Sequence, residues 1–226
     1  MREIVIDTET TGLSHKNGDR IIEVGCVELV NHISTNKTLQ FYCKVDKKIS
    51  DSAQKITGIT NNFLKTQKTF EENHLLLLSF INNDTLIIHN ADFDIGFLNH
   101  ELSLFNKGPL TNPVVDTVEL ARKTLNTRIA NLDYLCRRFN IDLSERNLHG
   151  ALLDSRLLAE VYLELKGGKQ FSMDLGSKKT QNNTTKNQNP KKTKELKKIQ
   201  NNNQDVLLHK EMLKKINDPI WKKYNY

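Results

Sequence analysis

The sequence has few cysteines and no long apolar run, and both shortages narrow the class of protein. Its three cysteines, Cys26, Cys43 and Cys136, form no Cys-x-x-Cys pair, so neither a disulfide framework nor a zinc site is indicated. No apolar stretch approaches the roughly 20 residues that a membrane-spanning helix needs. The segment after Met1 lacks the apolar core of a secretory signal. We therefore expect a cytoplasmic protein with reduced thiols and no membrane partner.

The first 175 residues have no excess of positive charge, although the whole chain has a formal net charge of +6. These residues contain 20 Lys and Arg against 23 Asp and Glu, whereas residues 176–226 contain 13 against 4. The first segment therefore cannot attract a polyanion by bulk charge. If it handles nucleic acid, it must do so through bound cations and local contacts.

Composition divides the chain into three segments. Residues 1–175 alternate apolar stretches with turn signals, which predicts a folded domain. Residues 176–205 are mostly Lys, Asn, Gln and Thr, and bury too little apolar surface to offset the entropy of ordering, which predicts a disordered linker. Residues 206–226 regain apolar side chains, and we expect them to form a binding segment.

The order of the predicted elements indicates an α/β fold. Apolar patterns predict strands at residues 3–7, 20–30, 38–45, 85–89 and 114–116. Helical periodicity predicts helices at residues 70–81, 93–105, 132–139 and 151–165, and a further helix that starts at Thr117. A hairpin followed by alternating strands and helices is typical of a mixed sheet covered by helices.

An Asp-x-Glu pair lies where the first predicted strand ends. Side chains two residues apart on an extended backbone face the same side, so Asp7 and Glu9 present two carboxylates together. Like charges this close are unfavourable unless a divalent cation lies between them, and oxygen ligands suit Mg²⁺ or Mn²⁺. Taken alone, the pair fits a solvated strand end or turn better than a metal site.

Further acidic residues follow in two other places. Asp94 comes after the strand at 85–89, where Asp92 is a candidate helix cap that leaves Asp94 free to face the strand ends. Asp154 is predicted in the first turns of the last helix of the domain, with His149 on the loop before it. Each residue alone also fits an ordinary capping or surface role. Together, four carboxylates and an imidazole able to accept a proton from water form the set that two-metal phosphodiester cleavage requires.

Three motifs resemble those of the DEDDh family of 3′→5′ exonucleases. They are Asp7-Thr-Glu-Thr-Thr-Gly12, His89-Asn-Ala-Asp-Phe-Asp94 and His149-Gly-Ala-Leu-Leu-Asp154. The histidine five residues before the last aspartate is typical of this branch of the family. The resemblance covers residues 1–175 and implies an RNase H-like mixed five-stranded sheet flanked by helices. It is greatest to the proofreading exonucleases of replicative DNA polymerases, which implies removal of mispaired nucleotides from DNA 3′ ends.

The resemblance also implies roles for individual residues. The ligands implied for two divalent cations, Mg²⁺ or Mn²⁺, are Asp7, Glu9, Asp94 and Asp154. His149 is implied as the general base. The residues implied to bind the substrate are Asp7, Glu9, Thr10, Thr11, Leu13 and Asp154. Relatives often have histidine where Thr57 precedes Gly58, so a contact made by that histidine is not expected here.

Residues 170–175, Gln-Phe-Ser-Met-Asp-Leu, resemble the short peptide by which polymerase subunits bind the sliding clamp. A glutamine anchor with two apolar side chains suits a shallow apolar pocket, and the expected contacts are Gln170, Met173 and Leu175. Six-residue motifs of this kind also arise by chance, in which case the segment is only the edge of the domain.

The last segment resembles a binding peptide. Leu208, Met212 and Ile216 recur at four-residue spacing before Trp221, which predicts a short amphipathic helix with an aromatic anchor. Similarity to the proofreading exonucleases implies that this segment binds the catalytic (alpha) subunit of the polymerase. The alternative is a frayed tail with scattered apolar residues.

Two other functions are compatible with parts of the pattern. A stand-alone DEDDh exonuclease that acts in DNA repair or on RNA 3′ ends would share every catalytic residue, but would not need the two docking segments. A non-catalytic binding module with a degenerate fold predicts at least one missing ligand, and none of the four acids is missing. The sequence therefore favours the proofreading enzyme.

Overall fold

The computed structural model describes residues 1–146, 148–167 and 203–215. The chain divides into two units, Met1–Gly176 and Ser177–Tyr226. The sheet and all the predicted catalytic residues belong to the first unit. Within the described residues, no helix is long and apolar enough to cross a membrane.

A mixed five-stranded sheet forms the centre of the first unit, in the order β3-β2-β1-β4-β5. Its strands are β1 (Arg2–Thr10), β2 (Ile21–Val30), β3 (Ile33–Tyr42), β4 (Thr85–Ile88) and β5 (Val114–Asp116). The central strand β1 pairs antiparallel with β2 and parallel with β4, and β5 continues the parallel side. This arrangement confirms the predicted mixed sheet.

Helices cover both faces of the sheet. They are α1 (Asp51–Thr57), α2 (Asn61–Leu64), α3 (Phe70–Ile81), α4 (Ala91–Ser103), α5 (Thr117–Leu125), α6 (Leu132–Arg138) and α7 (Ala151–Leu165). A turn of 3₁₀ helix lies at His15–Asn17. In the second unit, α8 spans Asn203–Lys214, which confirms a helix in the segment where an amphipathic one was predicted.

The two sides of β1 belong to two separate cores. Ile4 and Ile6 pack with side chains of α3 and α4, whereas Val5 packs with side chains of α5, α6 and α7. All three are fully buried. Because successive residues of a strand face opposite sides, a run of apolar residues is what a strand covered by helices on both faces requires.

The predicted boundaries were wrong where polar residues dominate. The strand predicted at 38–45 is β3 at Ile33–Tyr42, because Asn31 and His32 adopt φ angles of 52° and 61° and form a tight two-residue hairpin turn. The outer strand leaves most of its side chains exposed, so it lacks an apolar signal. Helices α1 and α2 were not predicted, because each is short and buries only one residue.

Candidate functional site

The acid pair lies inside the central strand rather than after it. The predicted end of β1 at Asp7 is too early, because the strand continues to Thr10. Asp7 and Glu9 are therefore consecutive positions on the strand face that Val5 also occupies. Asp7 pairs with Gly25 of β2, and Glu9 pairs with Glu23. The register shifts between Glu9 and Thr10, which ends the regular pairing next to the pair of acids.

Asp94 approaches the acid pair from α4, the helix that follows β4, which is the parallel neighbour of β1. It lies in the first turn of α4, is 3% exposed, and accepts a hydrogen bond of 2.6 Å from the hydroxyl of Thr8. Thr8 lies between the two acids of β1 in the sequence, so this bond links the second motif directly to the first. The sequence pattern alone indicated no role for Thr8.

The expected cap of α4 was wrong. Asp92 is exposed and makes no cap; the N-cap residue is Asn90, in the left-handed conformation at φ 66°, and its side chain makes no cap bond. The carboxylate of Asp116 instead accepts the backbone N–H groups of Asn90 and Ala91, at 3.2 and 3.1 Å. It also caps α5 through the N–H of Val118. One acid at the end of β5 therefore fixes two helix starts.

Asp154 is brought to the acid pair by the crossing of α7 over β2. A Cβ atom on Gly25 would lie 2.2 Å from the backbone of Ala151 and Leu152, so only glycine permits this approach. The hydroxyl of Ser155 donates a hydrogen bond of 2.9 Å to the carbonyl of Gly25. Since Gly25 pairs with Asp7, this contact places the first turn of α7 beside the acids of β1.

His149 converges with Asp154, as the sequence predicted for a loop before a helix. Its backbone N–H donates to the carbonyl of Ile56 on α1, at 3.0 Å, and its Nδ1 lies 3.3 Å from a carboxylate oxygen of Asp154. Its side chain is 46% exposed. An imidazole held at its backbone and open to solvent at its ring can exchange protons with water.

Like charges and burial dominate the electrostatics of this cluster. Burial raises the pKa of Asp7 well above its usual range, and the neighbouring charges of Asp94, Glu9 and Asp154 raise it further. Burial, with Asp154 and Glu23 close by, raises the pKa of Glu9 to about 8. Burial likewise raises the pKa of Asp94 to about 7, against the hydrogen bond from Thr8. Among the described residues, the charge of Arg146 lowers the pKa of Glu9 but does not offset burial and the neighbouring acids.

Arg146 also lies within the cluster, although no sequence motif indicated it. Its guanidinium group makes a bidentate contact with Asp154, with both N···O distances 2.7 Å, and a further ion pair with Asp133 of α6. One of its nitrogens lies 3.1 Å from Nδ1 of His149. The side chain is only 9% exposed. In a neutral ring, Nδ1 either accepts a hydrogen bond from Arg146 or donates one to Asp154. It cannot make both contacts at once, because one nitrogen cannot both accept and donate.

Ligand atoms for a metal ion are close together at this point. Atoms of Glu9, His149 and Asp154 lie within 4.8 Å of one another. A cavity of about 390 Å³ opens beside them, and its lining is mostly polar: Asp7, His89, Asn131, Leu132, Asp133, Arg146, His149 and Asp154. Four clustered carboxylates, of which Asp7, Glu9 and Asp94 have raised pKa values, are a donor set that fits divalent cations.

Glu9 lines a second, more apolar cavity of about 280 Å³. Thr10, Leu13 and Phe93 line it together with α1 residues such as Ile56. Leu13 is 87% exposed at its edge. An apolar cavity next to a cluster of acids has the size and polarity to receive the base and sugar of a nucleotide whose phosphate faces the acids.

The structure brings together most of the predicted site residues, though not all of them. Asp7, Glu9, Asp94, His149 and Asp154 converge, and Thr10 and Leu13 border the adjoining cavity. Thr11 is different: it is 1% exposed, and its hydroxyl contacts Asp19 and the backbone of Arg20. Its side chain therefore supports the loop rather than lining the cavity. The predicted clamp contacts Gln170, Met173 and Leu175 lie outside the described residues.

Glu23 is a further buried acid that no sequence motif indicated. It is 2% exposed, and burial raises its pKa, although the side chain of Gln40 and the backbone N–H groups of Ala151 and Leu152 donate hydrogen bonds to it. The carboxylate of Glu23 therefore accepts hydrogen bonds from the first two backbone N–H groups of α7. The available signal was its place in β2, where Glu23 and Glu28 are the two charged residues of a largely apolar strand. A charged residue in such a strand indicates a buried partner.

Comparison with known proteins gives consistent matches. The model of a family described as Exonuclease matches residues 4–162. A protein of Rickettsia felis named DNA polymerase III subunit epsilon is 42% identical over 222 residues, which cover 96% of this chain and 97% of that protein. The protein of the same name from Escherichia coli K12 is 44% identical over 180 residues, 76% of this chain and 74% of that protein.

Solved structures agree on the fold. The nuclease domain of 3′hExo, described as a DEDDh family member bound to rAMP, superposes with a TM-score of 0.65 at 20% identity, covering 73% of this chain and 91% of that one. Exonuclease I superposes with a TM-score of 0.66 at 18% identity, covering 74% and 40%. Both likenesses concern the backbone fold.

Proposed function

The chain belongs to the Exonuclease family, and we propose from this membership that it is the 3′→5′ proofreading exonuclease of a replicative DNA polymerase. Relatives 42–44% identical carry the name DNA polymerase III subunit epsilon. The observation that supports a catalytic role is the convergence of Asp7, His149 and Asp154 in one cavity. Glu9 has a ligand atom within 4.8 Å of those of His149 and Asp154, and it lines the nucleotide-sized apolar cavity. The substrate is a DNA 3′ end.

Membership of this family implies divalent metal ions, and the donor set described above fits them. We propose two ions, Mg²⁺ or Mn²⁺, held by Asp7, Glu9, Asp94 and Asp154. Bound there, the cations would stabilise the attacking and leaving oxygens of a phosphodiester. The protein's contribution is a rigid arrangement of the acids: two on β1, one fixed by Thr8, and one fixed by the packing of α7.

His149 acts as the general base in this proposal. Its ring is half exposed at the cavity, while its backbone is fixed to α1, so the imidazole can take a proton from the attacking water and pass it to solvent. Replacing His149 with alanine is expected to lower turnover by about 10² to 10⁴-fold. The fold is expected to persist, since the His149 ring is not part of either core.

In this proposal the terminal nucleotide has its base and sugar in the apolar cavity and its phosphate at the acids. Thr10 and Leu13 border its base and sugar, and Asp7, Glu9 and Asp154 face its phosphate. This assignment is supported by Glu9, which lines the apolar cavity and has a ligand atom within 4.8 Å of those of His149 and Asp154. Thr11 contributes by holding the loop in shape.

Two segments are proposed to bind partner proteins, one at the end of the catalytic domain and one after the linker. We propose residues 1–175 as the exonuclease domain, 176–205 as a linker, and 206–226 as the segment that binds the polymerase III catalytic (alpha) subunit. Leu208 and Met212 of α8 are 61% and 50% exposed, as a docking face requires. The sliding clamp is the partner proposed for Gln170, Met173 and Leu175.

A substrate panel tests the function directly. The purified chain is incubated with Mg²⁺ or Mn²⁺ and labelled DNA or RNA 3′ ends, each paired or mispaired. We expect release of deoxynucleoside 5′-monophosphates, fastest from unpaired DNA ends, and no release by Asp7→Ala. A preference for RNA would instead support the stand-alone RNA exonuclease. A folded wild-type protein that degrades neither substrate would contradict the proposal.

A further inference from the structure

The positively charged guanidinium group of Arg146 lies at Asp154, one of the proposed metal ligands. Its guanidinium group contacts both carboxylate oxygens of Asp154 at 2.7 Å and also pairs with Asp133. Its positive charge lowers the pKa of Glu9 against the effect of burial, so its field reaches a second proposed ligand. A bidentate guanidinium–carboxylate pair is among the strongest side-chain contacts, and this one is nearly excluded from solvent.

The carboxylate of Asp154 cannot serve two cations fully. Both of its oxygens are used by Arg146, and an oxygen that accepts a short hydrogen bond from a guanidinium is a poorer ligand for a metal ion. Arg146 has an alternative anchor, because Asp133 on α6 can retain it after it leaves Asp154. Asp133 is 45% exposed, so this second position lies nearer to solvent.

We propose that Arg146 is a positioning residue that competes with the divalent cation for Asp154. In the metal-free protein it holds Asp154 and His149 in place and partly balances the acid cluster. On metal binding it yields the Asp154 carboxylate and remains on Asp133. Arg146 thereby makes the metal-free site stable at the expense of metal affinity. This inference rests on the proposed function.

The test measures metal binding and stability rather than turnover. Arg146→Gln removes the competing charge, and Arg137→Gln is the matched control, since Arg137 also pairs with Asp133, at 3.9 Å, but is 75% exposed. We expect Arg146→Gln to lower the melting temperature in EDTA. We also expect it to tighten Mn²⁺ binding by roughly tenfold in a calorimetric titration. In the wild type only the fraction of molecules in which Arg146 has left Asp154 can bind metal, and the apparent affinity is reduced in proportion to that fraction. The control should change neither value.

Unchanged or weaker Mn²⁺ binding by folded Arg146→Gln would overturn the inference. If that variant does not fold in EDTA, the wild-type chain gives the answer through the side-chain Nε–H resonance of Arg146 by NMR. Added Mg²⁺ should shift this resonance and reduce its protection from exchange, and a resonance that does not respond would also overturn the inference. A wild-type chain that binds no Mn²⁺ at all would contradict the proposed function itself.

A second inference comes from the distribution of charge. Residues 44–68 contain six lysines and only two acidic residues, although residues 1–175 together are net negative. All six lysines are exposed, although Lys47 forms an ion pair of 2.6 Å with Asp19; they are Lys44, Lys47, Lys48, Lys55, Lys65 and Lys68. We call this group the lysine surface. It lies on the segment that contains α1 and α2.

The lysine surface borders the nucleotide-sized cavity through a shared helix. On one side, Ala53 and Ile56 of α1 line that cavity. On another, Gln54 of α1 lines a broad, mostly polar depression together with Lys48 and Lys65. A strand whose 3′ end lies among the acids therefore has a positively charged surface one helix away, and electrostatic contact with phosphates is what such surfaces provide.

We infer that the lysine surface binds the phosphate backbone of the DNA strand upstream of its terminal nucleotide, which again rests on the proposed function. The variant Lys48→Gln/Lys55→Gln/Lys65→Gln tests this, with Lys107→Gln/Lys123→Gln/Lys166→Gln as a control of equal charge. Binding of labelled single-stranded oligothymidylate is measured by anisotropy in EDTA at several salt concentrations. The slope of log affinity against log salt should fall by about 0.7 for each phosphate that a lysine no longer neutralises.

The control should keep the wild-type slope. Hydrolysis of the p-nitrophenyl ester of thymidine 5′-monophosphate, which has no second phosphate, should be equal in all three proteins. Equal salt slopes would overturn this inference, whereas a wild-type chain that does not hydrolyse the ester would count against the proposed function.

Discussion

At the scale of residues, buried carboxylates determine the chemistry of this site. Asp7, Glu9 and Asp94 all have raised pKa values, and in each case burial is the largest cause. Retaining several acids in one buried cluster costs stability unless a cation balances them. The arrangement is therefore explained by the ligand that it accepts and not by any benefit to folding.

The stability of the metal-free protein should fall as the pH rises. A carboxyl whose pKa is higher in the folded than in the unfolded state binds more protons when folded, so stability is lost between the two values, 4.5 and about 8 for Glu9. Thermal melts in EDTA from pH 5 to 8 should show this decline, and saturating Mg²⁺ should reduce it. Equal declines with and without Mg²⁺ would contradict a cation between these acids.

Thr8 should determine metal affinity through Asp94. Thr8→Val keeps the shape of the side chain but removes the 2.6 Å hydrogen bond, and such bonds to charged groups contribute about 1.5–3 kcal/mol. We expect Mn²⁺ binding to weaken roughly 10- to 100-fold. Thr8→Ser retains the hydroxyl and should bind nearly as the wild type does. If valine and serine behave alike, the hydroxyl has no part in positioning Asp94.

At the scale of elements, the crossing of α7 over β2 positions the third motif. Gly25→Ala places a methyl group 2.2 Å from the α7 backbone, so the helix must move. Overpacking of this kind costs about 1–3 kcal/mol, and the displacement of Asp154 should reduce exonuclease activity as well. Gly108→Ala is the control, since nothing lies within 4 Å of its added carbon. Wild-type stability and activity for Gly25→Ala would show that α7 is not fixed there.

Elements whose apolar residues recur with a clear period could be predicted from the sequence. The positions of the acidic residues on those elements could be predicted with them. Helices α3 and α7 begin and end at the predicted residues, and the alternation along β1 placed Asp7 and Glu9 on one face. Arg146 could not be predicted, because its contacts depend on the path of a loop. The edge strand β3 and helix α1 were misplaced or missed, because short or exposed elements bury few apolar residues.

At the scale of the whole molecule, catalysis and docking should be separable. Residues 1–175 alone should degrade DNA 3′ ends at the rate of the full chain, because both cores and every proposed ligand lie within them. Deleting residues 206–226 should abolish recovery of the polymerase catalytic subunit in a pull-down without changing that rate. Equal recovery with and without these residues would remove the docking assignment.

The proposed function depends on acids from three distant stretches of chain sharing divalent cations, and anomalous scattering from crystals soaked in Mn²⁺ would locate those ions. We expect two manganese peaks about 3.5–4 Å apart, bounded by Asp7, Glu9, Asp94 and Asp154 beside His149. Crystals of an active protein with no manganese among these four carboxylates, or with manganese bound only elsewhere, would contradict the proposal.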